Sequence, residues 1–267
     1  MDLASLFSLE GRIALVTGGS RGIGRMIAEG FLSAGCARVY ITARKAEDLA
    51  ATAAELGERC IALPCDIGAI AGIEALAAEL AAREDRLDIL VNNAGIAWGG
   101  TFDDFPEAGW DKVLDLNVKT PFFLTQKLHA LLRAGAAAGH AAKVINIASV
   151  DGMRLNPWET YPYQASKAAL IHLTRRMAAR LAGEGIIVTA ISPGMFASRM
   201  NRAAAVAGER MAAQVPVGRV GGDEDMAAAA IYLAARSGDY VVGETLTVDG
   251  GWVNAWLPQD FVSPSGE

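Results

Sequence analysis

Apolar positions along the chain follow two rhythms that alternate. Short runs rich in β-branched residues recur at Ile13 to Thr17, Arg38 to Thr42, Cys60 to Leu63, Ile89 to Val91, Lys143 to Ala148, Ile187 to Ile191 and Thr245 to Val248. Each run is continuous rather than alternating, as expected of strands buried on both faces. Between them lie Ala-rich stretches such as Ala46 to Leu56 and Ile70 to Arg83, where Leu, Ile and Ala return at spacings of three and four with charges on the other face. Strands and helices in alternation predict an α/β fold, a doubly wound parallel sheet of seven strands with helices on both faces. No Pro/Ser-rich linker and no repeat interrupts the pattern, so residues 1–267 read as a single domain. Arg133 to Ala142 reads as a small-residue loop inside it, residues 195–222 as a substrate loop, and 252–267 as an apolar tail.

Composition narrows the function classes. Against 30 acidic side chains stand 24 basic ones, a net charge of −6, which excludes a basic nucleic-acid-binding chain. At 52% hydrophobic residues the chain can bury a sizeable core. No uncharged stretch reaches the ~18 residues of a membrane span. The start, Met1-Asp2-Leu3-Ala4-Ser5-Leu6-Phe7, lacks the basic region of a secretory signal, so a cytoplasmic location is expected. Cys36, Cys60 and Cys65 form no metal-ligand pair and are odd in number, which points to buried or idle thiols. His129, His140 and His172 stand singly and read as structural, with no metal implied.

The first strand runs into Thr17-Gly18-Gly19-Ser20-Arg21-Gly22-Ile23-Gly24, with Ala28, Phe31 and Leu32 following at helical spacing. A glycine turn between strand and helix lets a pyrophosphate approach the backbone while free N–H groups and the helix dipole stabilise its charge. This placement makes the sheet Rossmann-type and the turn a dinucleotide site. An acid at the end of the second strand would bind the adenosine ribose and exclude a 2′-phosphate. Here that strand ends Thr42-Ala43-Arg44-Lys45 without a carboxylate, and Arg21 adds a second guanidinium. NADP(H) is therefore the expected cofactor.

Tyr163-Gln164-Ala165-Ser166-Lys167 opens a helical stretch, and its i, i+4 spacing puts Tyr163 and Lys167 on one face. An ammonium beside a phenol favours the phenolate, so Lys167 is expected to lower the Tyr163 pKa toward a range suited to general acid/base work. The strand before it delivers Ser149 to its C-terminal end, where open α/β sheets bind ligands.

With these elements the chain resembles the short-chain dehydrogenase/reductase family from about Leu9 to Gly251. The resemblance rests on Thr17-Gly18-x-x-x-Gly22-x-Gly24, Asn92-Asn93-Ala94-Gly95, Asn117, Ser149, Tyr163-x-x-x-Lys167, Pro193-Gly194 and Asp249-Gly250-Gly251. Within the family it is most similar to bacterial 3-oxoacyl reductases of the rhamnolipid-associated kind. That narrower likeness rests on the glycine loop, Ala43-Arg44, Tyr161-x-Tyr163 and Phe196-Ala197-Ser198-Arg199-Met200. The resemblance implies that Tyr163 exchanges the proton, Ser149 polarises the carbonyl, Lys167 binds the nicotinamide ribose, and Asn117 completes the tetrad through a water. It assigns the cofactor to Gly18, Ser20, Arg21, Gly22, Ile23, Gly24, Arg44, Asp66, Ile67, Asn93, Ala94, Gly95, Tyr163, Lys167, Pro193, Gly194 and Ser198. Ser198 departs from the usual threonine but keeps a hydroxyl.

Met153, Leu155, Trp158, Met195, Phe196 and Met200 make the segments after Ser149 and Pro193 apolar, and Trp98 is placed at the entrance. Such a wall favours a lipophilic 3-oxoacyl-type carbonyl, with acyl carrier protein or a CoA thioester as the candidate carrier and Arg199 and Arg202 near the mouth. An alcohol dehydrogenase acting on a steroid, terpene alcohol or xenobiotic is the alternative, and a non-catalytic nucleotide sensor a remote one. The resemblance also implies a homotetramer, with Trp252 and Trp256 against a neighbouring subunit or the chain's own substrate loop.

Overall fold

The computed structural model describes residues 2–196 and 208–256. Seven strands form one sheet: β1 (Ile13–Thr17), β2 (Arg38–Ala43), β3 (Cys60–Pro64), β4 (Ile89–Asn92), β5 (Ala142–Ile147), β6 (Ile186–Pro193) and β7 (Thr245–Val248). Their order is β3-β2-β1-β4-β5-β6-β7 and every neighbouring pair is parallel. The winding direction reverses between β1 and β4, which opens a crevice at the carboxyl ends of those two strands.

The helices are α1 (Leu3–Phe7), α2 (Gly22–Ser33), α3 (Ala46–Leu56), α4 (Ile70–Ala81), α5 (Glu107–Leu114), α6 (Thr120–Lys127), α7 (His129–Ala137), α8 (Tyr161–Leu181), α9 (Gly208–Ala212) and α10 (Asp223–Ala234). A π turn, Asp115–Lys119, joins α5 to α6. No helix among the described residues is long and apolar enough to cross a membrane.

Successive strand side chains point to opposite faces, and each face has its own core. Ala14 and Val16 of β1 join Ile27 and Phe31 of α2 and Met226 of α10 on one side. Ile13 and Leu15 join Leu76 and Leu80 of α4 and Met177 of α8 on the other. This double burial explains the unbroken apolar runs of β1, β4, β5 and β6, all of whose residues are buried.

Two expectations are corrected. The edge strands are not buried throughout: β3 leaves Ile61 and Ala62 half-buried and Pro64 exposed, and in β7 only Thr245 is buried. An edge strand lacks a neighbour on one side, so its run is apolar without being fully covered. Nor is Arg133 to Ala142 a loop. Residues 133–137 are the last turns of α7, and Ala142 is already in β5. Alanine's helix propensity outweighs the weak periodicity there.

The amino ends of the strands are closed by charge rather than left open. Asp88, fully buried, accepts the Ile13 N–H at 2.7 Å, and Lys143, also buried, pairs with Asp239 at 2.8 Å. His140 lies 3.5 Å from Asp88, and His129 lies 2.9 Å from Glu184. All three cysteines are free, Cys36 and Cys60 buried and Cys65 half-buried.

Phe31 has no solvent exposure and sits centrally in the α2 core. Replacing it with alanine is expected to lower the unfolding free energy by about 3–5 kcal/mol, read from the midpoint of urea denaturation at unchanged slope.

Candidate active site

The turn after β1 needs glycine for its backbone. Gly18 (φ 68°) and Gly22 (φ 53°) lie in the left-handed region. Gly24 is needed for space: a Cβ there would stand 2.4 Å from the Gly18 carbonyl oxygen and 2.5 Å from Asn93 Nδ2. Asn93 Nδ2 donates to the Thr17 carbonyl at 2.7 Å. The Thr17 hydroxyl in turn accepts the N–H groups of Asn93 and Ala94, each at 2.9 Å, and donates to the Val91 carbonyl at 3.2 Å. The loops after β1 and β4 thereby form one hydrogen-bonded body. Helix α2 then starts at Gly22 and Ile23 with no side-chain cap and no acid in its first turn, the arrangement that receives an anion.

The end of β2 lies against this turn, because Gly18 N–H donates to the Thr42 carbonyl at 2.8 Å. Thr52 of α3 donates to the Ser20 carbonyl at 2.9 Å and holds the turn from the outside. Arg21 and Arg44 are exposed and make no ion pair among the described residues. The acids that follow, Glu47 and Asp48, sit in the first turn of α3. A glycine turn, an uncapped helix start and two guanidinium groups make a donor set that fits a dinucleotide carrying a 2′-phosphate.

Beyond β3, Asp66 is exposed and accepts the Gly68 N–H at 3.0 Å, while Ile67 is buried and its carbonyl accepts the Thr120 hydroxyl at 2.8 Å. Pro193 ends β6. Gly194 donates to the Val248 carbonyl at 2.9 Å and packs so closely on Asp249 that a Cβ would meet its Cα at 2.7 Å. Ser198, with Ala197, Arg199, Met200 and Arg202, lies outside the described residues.

Three elements bring the proposed tetrad together. Ser149 stands two residues beyond the end of β5, whose last carbonyl, that of Ile147, accepts Lys167 Nζ at 2.7 Å. The ammonium is 5.5 Å from the centre of the Tyr163 ring, one helical turn earlier on α8, and the Ser149 side chain, which accepts the Asp151 N–H at 3.1 Å, is near enough to the phenol to favour its ionised form. Asn117 lies in the π turn, a helix defect often found at functional sites. Its Oδ1 accepts the Ile96 N–H at 3.0 Å, and its Nδ2 donates to the Ile96 carbonyl at 2.9 Å and to Ser166 Oγ at 3.0 Å. Gly95 packs between two of these groups: a Cβ there would lie 3.1 Å from Asn117 Oδ1 and 3.6 Å from Lys167 Nζ.

Below them runs a buried polar ladder that sequence reasoning missed. Asn92 donates to Asn146 at 2.9 Å, Asn146 to Thr174 at 2.9 Å, and Thr174 to the Leu170 carbonyl at 2.8 Å. It fixes the heights of β4, β5 and α8 relative to one another. Each residue is a plain polar interruption in an apolar run, which is the one signal available.

The electrostatics correct another expectation. Burial pushes the Tyr163 phenol up to about 12, the Asp151 carboxylate adding to the rise and the Ser149 side chain opposing it. The expected lowering is outweighed by burial; the ammonium is held by the Ile147 carbonyl, and burial pushes Lys167 itself down to about 8, with Asp151 opposing. Asp151 is raised by its own burial, with the neighbouring Asn156 amide and the charge of Lys167 opposing. This third titratable group stands two residues beyond Ser149. Its direction depends on the 3₁₀ turn Val150–Gly152, whose path no periodicity reveals.

Residues 18–253 match a family model described as enoyl-(acyl carrier protein) reductase. The chain is a short-chain dehydrogenase/reductase. A rhamnolipid-biosynthesis 3-oxoacyl-(acyl-carrier-protein) reductase from Pseudomonas aeruginosa is 50% identical to this member of the family over 251 residues, 92% of this chain and 98% of that one. The solved active-site complex of Pseudomonas aeruginosa RhlG with NADP superposes with a TM-score of 0.89 at 49% identity, covering 93% and 98% of the two chains. A 2-dehydro-3-deoxy-D-gluconate 5-dehydrogenase from Escherichia coli is 37% identical over 94% of this chain and 99% of its own. This reductase is thus an oxidoreductase, built on the fold its sequence predicts.

Around the mouth, Met153, Leu155 and Trp158 are exposed, Leu155 at 86%, and Trp98 is exposed at 39%. Phe196 is the exception. It is buried against Gly221, where a Cβ would come within 2.5 Å of its ring, and belongs to the α2 core. Tyr161 engages its hydroxyl with Glu159 at 2.9 Å and packs edge-on against Phe102 and Phe105. Tyr163, not Tyr161, therefore meets Ser149. Trp252 and Trp256 lie against Arg154 of the chain's own loop; Leu257 and Phe261 lie outside the described residues.

Turnover that requires the Lys167 ammonium is expected to fall as pH rises through about 8. Asp151→Asn removes the carboxylate that favours that ammonium and should move this limb to lower pH. A profile of kcat/KM against pH for both proteins checks it.

Proposed function

We propose that the chain, working as one dinucleotide-binding unit, reduces a lipophilic 3-oxoacyl-type carbonyl to the secondary alcohol with NADPH. The observation that carries this reading is the seat of Lys167, whose ammonium lies 5.5 Å from the Tyr163 ring and donates to the Ile147 carbonyl at the carboxyl end of β5, two residues before Ser149. When bound, the reduced nicotinamide supplies the hydride and the electrons of the reduction. Ser149 holds the carbonyl oxygen by hydrogen bonding, Tyr163 delivers the proton to it, and Lys167 orients the cofactor ribose and returns charge to the pair. Asn117 keeps the Ile96 loop and α8 in register. Gly18 to Gly24 and Asn93-Ala94-Gly95 seat the pyrophosphate and ribose, with Asp66 and Ile67 toward the adenine and Pro193-Gly194 toward the nicotinamide. Arg21 and Arg44 receive the 2′-phosphate.

The exposed Met153, Leu155 and Trp158 support an apolar substrate over the polyhydroxy acids named for the gluconate dehydrogenase relatives. A carbonyl rather than a carbon–carbon double bond is favoured because two hydroxyl groups converge on the position of an oxygen. An acyl carrier protein or CoA thioester is the carrier this reading takes, in the cytoplasm. Assembly as a homotetramer is supported by the exposed aromatic side chains Trp110 of α5 and Phe122 of α6, on one continuous helical segment.

Tyr163→Phe should reduce turnover of 3-oxoacyl thioesters by at least about a hundredfold while leaving NADPH affinity nearly unchanged, since one hydroxyl is lost. Tyr161→Phe serves as the control and should stay active; steady-state oxidation of NADPH reads both. Ala43→Asp combined with Arg44→Ala should shift preference from NADP(H) toward NAD(H), measured as the ratio of the two kcat/KM values. Tighter binding of NADH than NADPH by the unaltered enzyme would contradict the assignment.

A further inference from the structure

The loop between Ser149 and Tyr163 carries catalytic groups at both of its ends and apolar side chains on its exposed face. One residue in it turns the other way. The Arg154 guanidinium lies 4.2 Å from the centre of the Trp256 ring and 5.3 Å from that of Trp252. Its Nη1 donates to the Trp252 carbonyl at 2.6 Å. The two indoles are four residues apart, with centroids 6.4 Å from each other and planes inclined at 55°, so they form an open V around the cation. Delocalised charge on a planar group suits such a seat.

The far side of this seat is itself anchored. Asp249 accepts the N–H groups of Gly251 at 2.8 Å and Val253 at 2.7 Å, which folds the chain back directly after β7. Gly250 (φ 63°) packs on Val215 and Val217, where a Cβ would stand 2.6 Å from each, and its carbonyl accepts the Val217 N–H at 3.1 Å. Asp249 also packs on Gly194 at the end of β6. The turn after β7 is thus the junction of three segments: the loop bearing Arg154, the end of β6, and residues 215–218.

We propose that Arg154 is a positioning residue: clamped by Trp252 and Trp256, it ties the apolar loop to this junction and so sets the affinity for the acyl chain of the substrate. Met153 and Leu155 flank Arg154 and are exposed, so the clamp fixes how they are presented. Proton delivery at Tyr163 depends on the α8 end of the loop and on the Asn117–Ser166 brace, neither of which the clamp touches. The kinetic part of the inference rests on the carbonyl-reductase reading; the clamp itself does not.

The test uses the full-length protein and its Arg154→Ala, Trp256→Ala, double and Arg154→Lys variants, with acetoacetyl and 3-oxododecanoyl thioesters and NADPH. Either single alanine variant should raise KM for the long-chain substrate about tenfold with kcat changed less than about twofold, in line with loss of one cation–π seat. The double variant should be no worse than either single, because both break the same contact. Arg154→Lys, which keeps the charge without the plane, should fall between and remain folded. Hydrogen exchange of the amides of residues 153–160, measured without substrate, should be faster in both alanine variants. An unchanged long-chain KM overturns the proposal, and so does unchanged exchange. If the unaltered enzyme reduces neither thioester, the functional reading fails and exchange alone decides the clamp.

Discussion

The Thr17 hydroxyl joins the two halves of the doubly wound sheet at the crevice that holds the candidate site. It receives two backbone N–H groups from the loop after β4 and gives its own proton to the Val91 carbonyl. Parallel strands with opposite winding leave their carboxyl ends diverging, and nothing in the sheet ladder itself ties the loops that follow. With this bond, and the Asn93 amide beside it, the glycine turn and the Asn93-Ala94-Gly95 segment move as one piece. The position of α2 and of Gly95 beside Lys167 follows from it.

Burial acts on the two titratable groups of α8 beside that piece. Tyr163 and Lys167 are both driven toward their neutral forms, the phenol up and the ammonium down. A neutral phenol is the form that can give a proton away, so desolvation favours the donor direction and the Ser149 side chain moderates it. Asp151 works against the lysine's loss of charge while adding to the phenol's resistance to ionisation.

Elements whose physics is local were legible in the sequence. The buried strands, the glycine turn with its positive φ angles, and the i, i+4 pair of Tyr163 and Lys167 all follow from spacing alone. The edge strands were read as too buried because an apolar run does not reveal how many neighbours a strand has. The end of α7 was missed because small residues carry no strong periodicity. The parts played by Asp151 and Arg154, and the pairing of Asn92 with Asn146 and Thr174, were not legible for a different reason. Each depends on where a side chain points after a turn, or on two strands meeting in register, and neither is encoded within a window of neighbouring residues. Phe196 shows the converse: an apolar residue near the mouth can belong to the core.

The π turn at Asp115–Lys119 holds one residue more than an α-helical turn would. Every residue of an α-helix advances the angular position by about 100°. The extra residue is taken up within the turn, so α5 and α6 keep their phase on either side of it. Deleting one residue of the turn would restore regular helix and leave both flanks in place, but the side chain at the position of Asn117 would turn away from Ile96 and Ser166. The added residue thus serves the aim of one amide and not the packing of the helices, so relatives that use this asparagine should keep the turn's length.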